Sequence, residues 1–145
     1  LKADFLVELN NDELKCLTTF EETTGAYATD CLLSENGIIF VIKSGDLGKA
    51  IGKKGANINR ARTAFGRPVF IVEEAADIEQ FIRNLFGTIP IRNINIHEKN
   101  DSKTAFVTVD DSDRGVAIGK NGDRVKLNRA ILLRKFGCDL KLYSK

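Results

Sequence analysis

Two short stretches of this chain carry the residues best suited to hold an anion, Gly52-Lys53-Lys54-Gly55 and Gly119-Lys120-Asn121-Gly122. Glycine takes positive φ freely, so a glycine pair separated by two polar residues makes a tight reversal with a bare backbone. Each pair follows a short helical pattern and opens a longer basic one. The unpaired N–H groups and positive dipole end of that second helix therefore face back toward the loop. Lys53, Lys54 and Lys120 add formal charge. The chemistry implied is the holding of phosphate.

Nucleotide triphosphate sites use the same ingredients, and spacing separates them from what stands here. A P-loop needs four residues between its glycines, then Gly-Lys and a Ser or Thr hydroxyl for magnesium. Gly48 and Gly52 enclose only three, and Lys54 stands in the hydroxyl's place; Gly115 and Gly119 repeat the short spacing, with Asn121 after the lysine. No Gly-x-Gly-x-x-Gly follows a strand pattern, so dinucleotide binding has no support. His97 is the sole histidine, falls in an expected polar turn and has no nucleophile motif around it, so no catalytic residue and no enzymatic activity are expected. Cys16, Cys31 and Cys138 are scattered and odd in number, which points to small core residues rather than a disulfide framework or a metal site. No cofactor is expected.

The loops are positioned by a repeat. An offset of 67 residues relates Gly52 to Gly119, Gly55 to Gly122, and equally Asp46 to Asp113, Gly48 to Gly115, Ala50 to Ala117 and Arg62 to Arg129. The 145 residues therefore read as two small domains, 1–74 and 75–145. Units of about 70 residues bury modest cores, so the two are expected to pack together.

Along the chain, Asn10 is placed to cap a helix whose apolar stripe is Leu14, Leu17 and Phe20 with Cys16, and Glu13, Glu21 and Glu22 are expected on its exposed face. Gly25 ends it. Tyr27 to Leu33 reads as a strand, and Asn36-Gly37 favours a hairpin turn into Ile38-Ile42. A short helix from about Gly45 to Ile51 leads to the first loop, followed by a helix on Ile58, Ala61 and Phe65 that Gly66 closes. Pro68 to Val72 is a strand. The join Glu73-Glu74-Ala75-Ala76-Asp77 is short and helix-friendly, and is expected to continue stiffly into a helix on Ile78, Phe81, Ile82, Leu85 and Phe86. Strands at Ile91-Ile96 and Thr104-Val109 follow, joined by a polar turn that includes His97. A last helix from Asp123 to Phe136 presents Leu127, Ala130, Ile131 and Leu133 as its apolar surface and Arg124, Lys126 and Arg129 as its charge. Only one strand, Cys138 to Tyr143, remains.

The net charge of +2 hides a strong asymmetry. Residues 1–35 hold two basic and eight acidic residues, whereas 43–67 and 114–135 each hold seven basic residues against a single aspartate. Two blocks of positive charge on an acidic body, each beside an anion-shaped loop, form the footprint of a polyanion-binding protein.

A strand, a short helix, a Gly-x-x-Gly loop, a basic helix and a further strand resemble the KH domain, whose loop clamps the backbone of about four single-stranded nucleotides. Each repeat carries its extra helix and strand in front of that core, as in the type II arrangement. The fold expected is α+β, with each unit a three-stranded mixed sheet covered on one face by three helices. Two such units in tandem resemble the paired KH domains of the NusA family of transcription factors. The resemblance is carried by Gly48-Lys49-Ala50-Ile51-Gly52-Lys53-Lys54-Gly55, by Gly115-Val116-Ala117-Ile118-Gly119-Lys120-Asn121-Gly122 and by Arg60-Ala61-Arg62. The length leaves no room for the polymerase-binding and S1 domains of bacterial members, and the compact form is similar to the archaeal NusA-like proteins.

The resemblance implies RNA binding in transcription termination or antitermination, with RNA polymerase or other transcription machinery as a further partner. One strand of RNA is expected to run across both units, its backbone held by the two loops. Ile51 and Ile118 then line an apolar groove for bases, and Lys49, Arg60, Arg62, Lys126 and Arg129 supply phosphate or base-edge contacts. The competing expectation is an interaction module that docks through its acidic N-terminal helix and does not read RNA. No apolar run reaches membrane-spanning length and no targeting segment is recognisable, so a cytoplasmic protein is expected; a start at Leu1 is read as processing, an alternative start or the edge of a piece cut from a longer chain.

Overall fold

Two repeats of one pattern make up the computed structural model, which describes residues 11–145. The first runs α1 (Asn11–Thr24), β1 (Ala28–Ser34), β2 (Gly37–Ile42), α2 (Leu47–Ile51), α3 (Ala56–Phe65) and β3 (Val69–Glu73). The second runs α4 (Ile78–Phe86), β4 (Ile91–Lys99), β5 (Ser102–Val109), α5 (Arg114–Ile118), α6 (Asp123–Phe136) and β6 (Cys138–Ser144). The described chain divides into two compact units between Ala76 and Asp77.

Each unit is a three-stranded mixed sheet with the order β1-β2-β3 or β4-β5-β6. The first two strands pair antiparallel and the third joins parallel, because α2 and α3, or α5 and α6, form the crossover that carries the chain back. Both opening strands bulge at the same place, between Ala28 and Asp30 and between Ile91 and Asn93. The helix–strand order is that of two type II KH units.

Strand alternation builds the first core. Ile38, Phe40 and Ile42 point to the helices, where Phe40 stacks on Phe20 at 4.2 Å and lies 5.5 Å from Phe65. Ala50, Ile58 and Ala61 bring α2 and α3 onto the same cluster. In the second unit Ala105, Val107, Val109 and Leu140 are buried beneath Leu127, Ile131 and Leu132, with Phe81 5.3 Å from Phe136. Cys31 and Cys138 are fully buried and Cys16 is partly so. Among the described residues, no helix is long and apolar enough to cross a membrane.

Several local expectations are corrected. Gly37 pairs with Ser34 as a strand residue, so the first hairpin loop is Glu35-Asn36, without positive φ. The left-handed hairpin turn lies instead at Asn100 (φ 52°) and Asp101 (φ 65°), which extends β4 and puts His97 in a strand opposite Thr104. Glu13 is buried, its carboxylate accepting from the Leu33 N–H at 3.4 Å, whereas Glu21 and Glu22 are exposed. The join is not helical. Glu74 N–H donates to Ile42 O at 2.7 Å, the Glu73 carboxylate accepts from Gly45 N–H, and α4 starts only at its cap, Asp77, which accepts from Gln80 N–H at 3.0 Å. Leu133 is 56% exposed and Ala130 is exposed, while Leu132 takes the core position, because the 3.6-residue repeat puts Leu132 in line with buried Asn128 and Leu133 in line with exposed Arg129 and Ala130. The expected cap at Asn10 lies outside the described residues.

Candidate nucleic-acid interface

The two loops have the same backbone. Gly52 and Gly119 sit at φ 76°, ψ 172° and φ 78°, ψ 172°, a region open only to glycine. Lys54 and Asn121 are left-handed at φ 56° and 57°, and Gly55 and Gly122 follow at φ 76° each. In each loop the second glycine's N–H donates to the first glycine's carbonyl at 3.1 Å, which fixes the reversal. A β-carbon on Gly52 would lie 2.6 Å from the Asn57 side chain and 2.8 Å from its backbone nitrogen; one on Gly119 would lie 2.6 Å from Cβ of Arg124. The first glycine of each pair thus lets the loop fold flat against the following helix.

Asn57 and Arg124 hold that helix in place, and sequence reading gave neither of them this part. Asn57 donates to Lys49 O at 2.7 Å and to Thr24 O at 3.3 Å. Arg124, at the repeat-related position, donates to Val116 O and Phe86 O, both at 3.4 Å. Each residue ties the short helix before its loop to the C-terminal end of the unit's first helix. Arg124 is therefore not a free surface charge, and burial lowers its pKa from the usual arginine value. The available signal was the 67-residue offset that puts Asn57 and Arg124 five residues after their glycines.

The basic side chains divide into free and engaged. Lys49, Lys53, Lys54, Lys120 and Lys126 are exposed, with no ion-pair partner among the described residues. Neither α3 nor α6 has a side-chain cap; the first N–H of each helix, on Ala56 and Asp123, donates to the loop carbonyls of Lys53 and Lys120. Arg60 donates to Thr23 O at 3.1 Å and Arg62 to Asn59 Oδ1 at 3.1 Å and Val69 O at 3.4 Å. Arg129 meets the Asp139 carboxylate through two bonds, at 3.2 and 3.3 Å. Burial pushes the Asp139 carboxyl up, but hydrogen bonds from Arg129 and the Leu140 N–H, with the charges of Arg129 and Lys141, outweigh it and hold the pKa below the usual carboxylate value.

In the second unit Lys126, Arg129, Ala130 and Leu133 on α6 face Asp139 on the edge of β6 across an open cleft of about 240 Å³. Ala130 and Leu133, exposed on α6, are the apolar part of its lining. Ile118, expected in such a groove, is half-buried and does not line this cleft, while Ile51 is 40% exposed beside the first loop. His97 lies on the open sheet, edge-on to Phe106 at 5.2 Å. No group of metal-binding side chains occurs among the described residues.

Comparison with known proteins matches this geometry. Residues 18–79 fit the family model of the KH domain, and residues 78–140 fit that of the NusA-like second KH domain. A Halococcus morrhuae protein called "Probable transcription termination protein NusA" is 33% identical over 133 residues, covering 92% of this chain and 95% of its own. The chain belongs to the NusA-like family. A Methanococcus vannielii NusA of the same description is 32% identical over 119 residues, 82% of this chain and 69% of that protein. Among solved structures, the crystal structure of APE1850 aligns with a TM-score of 0.77 at 34% identity, over 94% of this NusA-like chain and all of that one.

Proposed function

We propose that this NusA-like chain binds single-stranded RNA in transcription, each Gly-x-x-Gly loop clamping the sugar–phosphate backbone. The observation that carries the reading is the identity of the two loops in torsion angle, each with exposed lysine and a helix start that no side chain caps. A phosphate seated on either loop meets backbone N–H groups, the positive end of a helix and the ammonium of Lys53 and Lys54 or of Lys120. Bases next to the second loop enter the α6–β6 cleft, over Leu133, where Lys126 and Arg129 reach phosphates or base edges. Lys49, Arg60 and Arg62 serve the first loop. Two such sites on one chain raise each other's effective concentration, so individually weak grips give useful affinity.

The relatives are named for transcription termination, and we assign this chain to the same process, on the transcript and beside the transcription machinery. The test is a filter-binding assay with pooled single-stranded RNA on the wild type and on a variant with Lys53, Lys54, Lys120 and Asn121 all changed to Asp. Binding is expected to vanish while the circular dichroism spectrum is unchanged. Undiminished binding by that folded variant sinks the clamp, and absence of binding by the wild type favours a protein-docking module instead.

A further inference from the structure

The register of the sheets sets up a comparison between the two units. Ile39, Val41, Phe70 and Val72 point away from the helices in the first unit, and Ile39, Val41 and Val72 are at most 1% exposed. The corresponding residues of the second unit are Phe106, Thr108, Lys141 and Tyr143, paired as Phe106 with Lys141 and Thr108 with Tyr143. A face that is aliphatic and buried in one repeat, save for half-buried Phe70, carries half-buried Phe106 and Thr108 with exposed Lys141 and Tyr143 in the other.

The rings on this face are already arranged for stacking. Phe106 and Tyr143 lie 6.0 Å apart and 24° from parallel, His97 meets Phe106 edge-on, and Lys141 Nζ stands 5.9 Å from the Phe106 ring centre. Tyr143 is 51% exposed, and a concavity of about 760 Å³ opens beside His97, Thr104 and Phe106. Lys99 and Lys141 are on the same side by strand alternation, against Asp139, which Arg129 neutralises from α6, with Glu98 at the concavity's rim. Exposed rings beside free ammonium groups suit a ligand that is flat, apolar on its faces and anionic along its backbone.

We propose that the open face of the second unit's sheet is a stacking platform for unpaired nucleobases, centred on Phe106 and Tyr143. It is separate from the loop and cleft, and β6 joins the two: Asp139 borders the cleft, and Lys141 and Tyr143 are the next residues of that strand to face outward. A strand leaving the cleft over the edge of β6 passes onto the rings. The proposal rests on the reading that the ligand is single-stranded RNA, and adds contacts beyond those of the loops.

The chain has no tryptophan and two tyrosines, so Tyr27→Phe leaves Tyr143 as its sole strong fluorophore. Titrating this variant of the full chain with a single-stranded oligouridylate of about a dozen nucleotides is expected to quench tyrosine emission. Tyr143→Leu and Phe106→Leu are each expected to weaken RNA binding about five- to 150-fold, the loss of one stacked base. If loop-intact protein binds RNA with Tyr143 unquenched and Tyr143→Leu binds as tightly as wild type, the platform is overturned and the clamp stands. If quenching persists in the loop variant, the platform stands and the clamp fails. Tyr143 emission that responds to protein concentration and not to RNA overturns the platform in favour of a second copy of the chain.

Discussion

The backbone nitrogen of Asn57 sits 2.8 Å from where a β-carbon on Gly52 would be, so the first loop glycine is fixed by contact as well as by torsion. Gly55 is different: its φ is 76°, but a β-carbon there meets nothing nearer than 3.6 Å.

The two glycines should therefore respond differently to alanine. Gly55→Ala carries the left-handed penalty of about 1 kcal/mol, whereas Gly52→Ala adds overlap with Asn57 to a glycine-only torsion and costs upward of about 3 kcal/mol. Denaturant unfolding should rank Gly52→Ala below Gly55→Ala, and Gly119→Ala below Gly122→Ala. Equal losses within a pair would contradict this.

Lys54 and Asn121 occupy one backbone position, left-handed at φ 56° and 57°. Asparagine tolerates that torsion better than lysine, so Asn121→Lys should cost a few tenths of a kcal/mol in stability. It should also raise RNA affinity and steepen the log–log salt dependence by roughly 0.7, one more phosphate neutralised on a single strand. Filter binding across a salt series reads the slope.

Arg124 binds carbonyls at the end of α4 and in α5, so its loss acts through loop position rather than charge. Arg124→Ala should lower thermal stability by about 1 to 2 kcal/mol and slacken the second loop. The salt slope per bound RNA should hold steady, in contrast to Lys120→Ala, which should lower it by roughly 0.7 with no change in melting temperature.

The Arg129–Asp139 link should show in the pH dependence. The folded carboxyl has the lower pKa, so its contribution is present above the unfolded pKa of roughly 4 and is lost as pH falls through the folded value. Melting temperature between neutral and acid pH should fall less steeply in Asp139→Asn than in wild type. Parallel curves would show that the pair does not contribute.

The duplicated loop, the order of elements and the exposed lysines of the loops were legible in the chain because they are local. A torsion that only glycine adopts and a run of lysines declare themselves without neighbours. The apolar run Ile38-Ile42 likewise declared itself a strand, though which of its residues face the helices did not show in it. Where a residue's role depended on what another element brought to it, the order of residues was not enough. Glu13 looked like one more surface acid until β1 met it, Arg124 looked like charge until the end of α4 supplied a carbonyl, and Leu133 looked like core until the helix phase turned it into the cleft. Phe106 and Tyr143 read simply as strand residues, far apart in the chain. Parallel pairing of β5 with β6 is what set their rings side by side, because strand register is chosen by the whole sheet and by no single segment of it.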